Sequence, residues 1–188
     1  LKGSQLVTVR YDEMPALDKV AREACEPGSG CVSGEHVLKA LIETVVDTIG
    51  GALEGLGDRL NGVSRKVFRE KVGQQVETRH FKQMLLLLGR EEDLLDKIRD
   101  SLINLGRLAV FLSQASDQGS VGKGLQPFLR AEGKDIEALG IYVGHISQKI
   151  NFLLATTLGL VNIEQNAIIK IFSVVAVIFL PPTLIASI

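Results

Sequence analysis

Seven residues near the C-terminus combine polar chemistry with regular spacing. Asn166, Ile169, Ser173, Ala176, Leu180, Thr183 and Ser187 recur every three or four positions, so a helix would stack them on one face. The stripe holds an amide and hydroxyls among small or aliphatic side chains. Around it Ile171, Phe172, Val174, Val175, Val177, Ile178 and Phe179 are bulkier. In an apolar medium, polar groups turn toward partner helices or a water-filled lumen. The stripe therefore fits two arrangements: a helix–helix contact built from small residues, or the lining of a pore.

The run around the stripe says where it must sit. From Ile171 to Ile188 no residue is charged, and only Ser173, Thr183 and Ser187 interrupt the apolar run with hydroxyls. About 18 helical residues span about 27 Å, close to the hydrocarbon thickness of a bilayer. A globular core helix seldom needs that much apolar length on all faces. The pattern predicts a transmembrane helix over 167–188. Lys170 flanks it on the N-terminal side, as expected if the bulk of the chain is cytoplasmic. Its side chain can snorkel to headgroups or contribute to a basic ring at the cytoplasmic end. Pro181 and Pro182 lack amide donors and are expected to bend or break the helix near its outer end.

Upstream of this run lies the most regular seam of the chain. Ile136, Leu139, Val143, Ile146, Ile150, Leu153, Thr157 and Leu160 step by three and four without a slip. Such a seam predicts coiled-coil-like packing with equivalent helices. No proline separates it from the membrane run, so a stalk helix over 134–166 should continue into the span. The simplest structure is one helix from about Lys134 to Ile188, roughly 80 Å long, with several copies side by side around an axis.

The preceding segments read as two further regions. Residues 5–11 alternate and are β-branched, which predicts a strand whose sheet lies elsewhere. Pro15 suits the first turn of a short helix over 15–25. Residues 1–30 thus read as the end of an α/β domain. Ser33 opens a long pattern that includes Ile42, Val46, Ile49, Leu53, Leu56, Leu60, Val63 and Val67. A second pattern runs from Phe81, Met84 and Leu88 through Leu95, Ile98 and Leu102 to Leu108 and Phe111. Together they predict a long antiparallel helical hairpin over 33–116. Glycines at 50, 51, 55, 57 and 62 weaken the first helix, and point to close packing against another. Residues 117–124 read as a loop. The acidic run Glu91–Asp96 reads as a solvated face. The fold class is mainly α, with one remnant strand.

Composition excludes several functions. Net charge is −1 and tryptophan is absent, so nothing points to nucleic acid as a partner. Cys25 and Cys31 lack a nearby histidine pair and read as ordinary thiols. His36, His80 and His145 lie far apart on different helical patterns. The Gly-Lys pair at 122–123 lacks phosphate-loop spacing and a preceding strand. No catalytic constellation or organic cofactor is expected, and the chain does not read as an enzyme. Leu1-Lys-Gly-Ser-Gln is not an initiator sequence and shows no charged-then-apolar leader, so an internal piece of a longer protein is expected.

The stretch Asn162-Ile-Glu-Gln-Asn-Ala-Ile-Ile-Lys-Ile-Phe-Ser-Val-Val-Ala-Val-Ile-Phe-Leu-Pro-Pro-Thr-Leu-Ile-Ala-Ser-Ile188 closely resembles the first transmembrane helix of the bacterial CorA magnesium/cobalt channel family. Gln148-Lys-Ile-Asn-Phe-Leu-Leu154 also resembles that family's stalk. Over residues 5–135 the likeness is architectural. The resemblance implies a homopentamer in the bacterial inner membrane, in contact with lipids, moving Mg2+ and also Co2+ and Ni2+, and closed by cytoplasmic Mg2+. It implies that Asn166, Ile169, Phe172, Ala176, Leu180 and Thr183 line the pore, so that Phe172 and Ser173 compete for one level of the helix. It implies a hydrophobic gate at Ile169 and Phe172, a basic ring at Lys170, and regulatory metal ligands at Glu132 and Asp135. The family's Tyr-Gly-Met-Asn-Phe loop would follow Ile188 and, like the second membrane helix, lies outside this sequence. Amide and hydroxyl rings suit Mg2+, which gives up its waters reluctantly: they can hydrogen-bond its hydration shell without stripping it. A zinc-transporting relative and a non-conducting, membrane-anchored coiled coil are the alternatives.

Overall fold

A computed structural model describes residues 1, 5–26, 33–69, 78–118, 122 and 124–186; the side chains of 69, 78, 79, 180 and 183–186 are outside it. Four helices follow in order: α1 (Pro15–Ala24), α2 (Gly34–Arg69), α3 (Thr78–Asp117) and α4 (Leu125–Ala186). They form two compact units. One combines Leu1–Asp58 with Asp93–Ser147, and the other combines Arg59–Glu92 with Gln148–Ile188.

Local chemistry sets the helix starts. Pro15 occupies the first turn of α1, where its missing donor costs nothing. Arg10 of the preceding segment donates to the Asp18 carboxylate at 2.6 Å. Ser33 caps α2: its Oγ accepts from the His36 amide at 3.4 Å and lies 2.8 Å from His36 Nδ1. Of the expected strand, Gln5 carries a bridge, and no ladder runs along 6–10 among the described residues. Cys25 is a free, exposed thiol, and Cys31 lies outside the described residues.

In the first unit the buried face of α2 is Ile42, Val46, Ile49, Leu53 and Leu56. Leu95, Ile98, Leu102 and Ala109 of α3 are buried there too, with Leu125, Leu129, Ile136, Val143 and Ile146 of α4. Ala109 stands where the sequence pointed to Leu108 and Phe111, which are 41% and 65% exposed. Gly50 and Gly57 allow α2 and α4 to approach. A Cβ at Gly57 would lie 2.9 Å from the Tyr142 hydroxyl and 3.6 Å from Ile146 Cδ1, and one at Gly50 would lie 3.9 Å from Leu139. Gly51 and Gly62 meet nothing within 4 Å and have no such role. The α3–α4 connection is tied down by Ser116, whose hydroxyl donates to the Gly122 carbonyl at 3.1 Å. Lys39 donates to the Gly124 carbonyl at 3.0 Å and pairs with Glu35.

In the second unit Leu60, Val63 and Val67 of α2 are buried, as are Phe81, Met84 and Leu88 of α3 and Ile150, Leu153 and Thr157 of α4. Thr157 sits on this apolar face at no cost, because its hydroxyl donates to the Leu153 carbonyl at 2.7 Å. Phe68 and Phe152 stack with ring centroids 6.1 Å apart.

Three expectations change. First, α4 begins at Leu125, nine residues before Lys134: Pro127 falls in its first turn, where no intrahelical donor is needed, and Leu125 and Leu129 are buried. Second, α4 runs through Pro181 and Pro182 to Ala186 without breaking. Third, the stalk seam is already buried within the single chain, so it is not a free face for equivalent helices. The apolar side chains that α4 leaves exposed on this stretch are others, including Ile141, Phe152 and Ile163.

Candidate functional site

Two groups of chemistry-bearing residues lie along α4, one in each unit. The first is an acidic groove between α2 and α4. Glu43, Asp47 and Glu54 of α2 line it with Glu132 and Asp135 of α4, over walls of Val46, Leu139 and Tyr142 and a floor containing Gly50 and Gly51. Its volume is about 640 Å³. Glu43 and Asp47 are one turn apart, as are Glu132 and Asp135, so each helix presents a carboxylate pair. Sequence reasoning named Glu132 and Asp135 but missed Glu43, Asp47 and Glu54. Their signal was a carboxylate repeat at 43, 47 and 54, in step with the apolar face of α2.

Glu132 is only 9% exposed, whereas the other four carboxylates are exposed. Burial raises its pKa above the ordinary carboxylate value, and Asp135, Glu43 and Asp47 raise it further by repulsion. No cation pairs with any of the five among the described residues. Among those residues, too, no three carboxylate, imidazole or thiolate groups converge closely enough to hold a metal ion directly. The groove offers negative potential and hydrogen-bond acceptors at several points, and suits a cation that brings its own donors.

The acidic run of α3 is not a uniform solvated face. Phe81, Met84, Leu88, Glu91, Leu95, Ile98 and Leu102 form one buried stripe, with Glu91 8% exposed in the middle of it. Arg59 of α2 chelates that carboxylate, with Nε to Oε1 and Nη2 to Oε2 both at 2.7 Å. The hydrogen bond to Glu91 raises the Arg59 pKa further, against a smaller opposing effect of burial. This is an internal clamp of the hairpin, where sequence reasoning saw only charge.

The second group lies in the apolar end of α4. Among the described residues one helix is long and apolar enough to cross a membrane, and it is this one. Ile169 is 61% exposed and Phe172 71%, and Asn166 and Ala176 are exposed as well. The side chains of Leu180 and Thr183 lie outside the description. At about 100° per residue, positions 166, 169, 172, 176, 180 and 183 fall within an arc of about 120°. Position 173 also falls within it. The Ser173 hydroxyl donates to the Ile169 carbonyl at 2.9 Å, so its proton is engaged on its own helix. Lys170 stands about 100° from the middle of the arc.

Fold and sites together define a helical membrane protein whose spanning helix continues, without interruption, into an acidic, packed helical body. The chain belongs to the family described as CorA-like Mg2+ transporter protein, whose model matches residues 1–188. It is 33% identical over 188 residues to the magnesium transport protein CorA of Escherichia coli K12, and likewise to that of Salmonella typhimurium. To the magnesium transport protein CorA of Yersinia pestis it is 32% identical over 192 residues. In each comparison the whole of this chain is covered, and it spans 57% of the relative's length.

Proposed function

We propose that this chain forms the stalk and pore helix of a divalent-cation channel that moves Mg2+, with Co2+ and Ni2+ as further cargo. The reading is one of transport through a homopentamer in the bacterial inner membrane, with the body of the chain cytoplasmic. The carrying observation is the continuity of α4: one helix joins the acidic groove at Glu132 and Asp135 to the uncharged segment after Lys170.

In this reading Asn166, Ile169, Phe172, Ala176, Leu180 and Thr183 line the lumen. Asn166 meets hydrated Mg2+ through its amide at the cytoplasmic mouth. Ile169 and Phe172 lie one and two turns further on and close the path by dewetting, which needs only small helix movements. Phe172 is preferred to Ser173 because the Ser173 hydroxyl is already bonded to its own helix. Lys170, off the arc, forms a basic ring around the mouth and outside its lining. Cytoplasmic Mg2+ gates the channel by binding outer-sphere at Glu132 and Asp135; burial does most to raise the Glu132 pKa, and the cation relieves the repulsion from Asp135, Glu43 and Asp47 that adds to it.

The test is Mg2+ uptake by the full-length protein carrying Asn166→Ala. Altered flux or altered block by Mg2+ is expected. Unchanged uptake together with unchanged block would remove Asn166 from the lumen and the registration of the arc with it.

A further inference from the structure

The groove between α2 and α4 has more length than a metal ion uses. Gly50 faces Leu139, and Gly57 faces Tyr142 and Ile146, so the two helices run in the same direction here. Glu43, Asp47, Glu132 and Asp135 therefore gather at one end. Glu54 lies seven residues beyond Asp47, about 10 Å further along α2. Between the two acidic ends the groove is apolar, walled by Val46, Ala138 and Leu139 and floored by Gly50 and Gly51. A Cβ at Gly51 would meet nothing within 4 Å, so the floor is open.

Glu132 is a second, independent pointer to a cationic ligand. The residue is nine-tenths buried, lines the groove, and has no hydrogen-bond or ion-pair partner among the described residues. Its carboxylate oxygens stay accessible from the groove, so a donor that enters there can reach them. The ligand that fits is cationic at two points and apolar between them. A compact ion meets only the first requirement.

We propose that this groove binds a linear aliphatic polyamine. One ammonium group sits among Glu43, Asp47, Glu132 and Asp135, and donates to Glu132. The methylene chain lies over Gly50 and Gly51 against Leu139. A second ammonium group reaches Glu54. The site would let cytoplasmic polycations compete with a divalent ion at the acidic end of the stalk, since one end of the polyamine occupies the same carboxylates.

The test is calorimetric titration of the detergent-solubilised chain with 1,8-diaminooctane, with putrescine and with MgCl2, each at constant ionic strength. Saturable binding of the long diamine is expected. Glu54→Gln should weaken it roughly threefold, the usual size of an exposed ion pair, and leave Mg2+ binding unchanged. Putrescine, too short to join the two ends, should bind wild type and Glu54→Gln alike. Mg2+ should displace the long diamine. Absence of long-diamine binding, indifference to Glu54→Gln, or equal loss of Mg2+ and long-diamine binding in that variant would overturn the proposal. Glu54 is exposed, so the substitution should leave the helical circular dichroism intact. Asn166→Ala should leave long-diamine binding untouched whatever it does to transport, which keeps this proposal separable from the pore assignment.

Discussion

Arg59→Met removes the clamp on Glu91 and keeps most of the arginine's apolar stem. The lost interaction is a bidentate, charge-assisted pair with both distances at 2.7 Å. Hydrogen bonds to charged groups contribute about 1.5–3 kcal/mol net. The Arg59 side chain is 46% exposed, so solvent screening pulls the value toward the lower end. The Glu91 side chain is 10% exposed, and orphaning it adds a desolvation penalty of about 1–3 kcal/mol, part of which relaxation returns. The net expectation is about 2 kcal/mol, or roughly thirtyfold in a local opening equilibrium. Amide hydrogen exchange reads this directly, along 59–69 of α2 and 78–92 of α3. Exchange there should accelerate roughly thirtyfold, while amides of the first unit change little. The double variant Arg59→Met/Glu91→Leu should recover most of the protection, because an apolar pair can replace a buried ion pair. Acceleration below about twofold would match an ordinary surface pair and refute the reasoning. So would a double variant as labile as Arg59→Met alone.

Two further perturbations test the first unit. The pKa of Glu132 is raised in the folded state, so its charged form opposes folding at neutral pH, and that penalty lifts as pH falls through the raised value. Glu132→Gln should therefore raise the melting temperature at pH 7 in cation-free buffer, and the gap from wild type should close on acidification; a gap that widened instead would contradict the assignment. Leu53 is fully buried, so Leu53→Ala should cost about 3 kcal/mol in denaturant unfolding, and a cost below about 1 kcal/mol would place it outside the core.

The helical elements were legible because their signals are local and redundant. The apolar steps of α2 from Ile42 to Val67 reappear as its buried face, and Ser33 and Pro15 open their helices by chemistry that acts within one turn. The start of α4 was missed because the regular seam begins at Ile136; Leu125 and Leu129 are buried upstream of it, and Pro127 is tolerated there because it lies in the first turn. Glu91 was misread because a charge counts as solvated until its partner is known, and Arg59 lies 32 residues away on another helix. Glu43, Asp47 and Glu54 were passed over for the same reason. Each is an unremarkable exposed carboxylate on α2, and only the packing of α4 alongside turns them into a groove.

By itself, then, the sequence determined the periodic helices, the uncharged stretch after Lys170 and the family. These depend on hydrophobic period, charge and length, all written along one dimension. Tertiary structure alone decided that the stalk seam is spent on the chain's own hairpin, that Arg59 and Glu91 meet, and that carboxylates from two helices converge on Glu132. Such pairings depend on which faces are opposed. A helical period fixes what shares a face, and carries no information about what lies across from it.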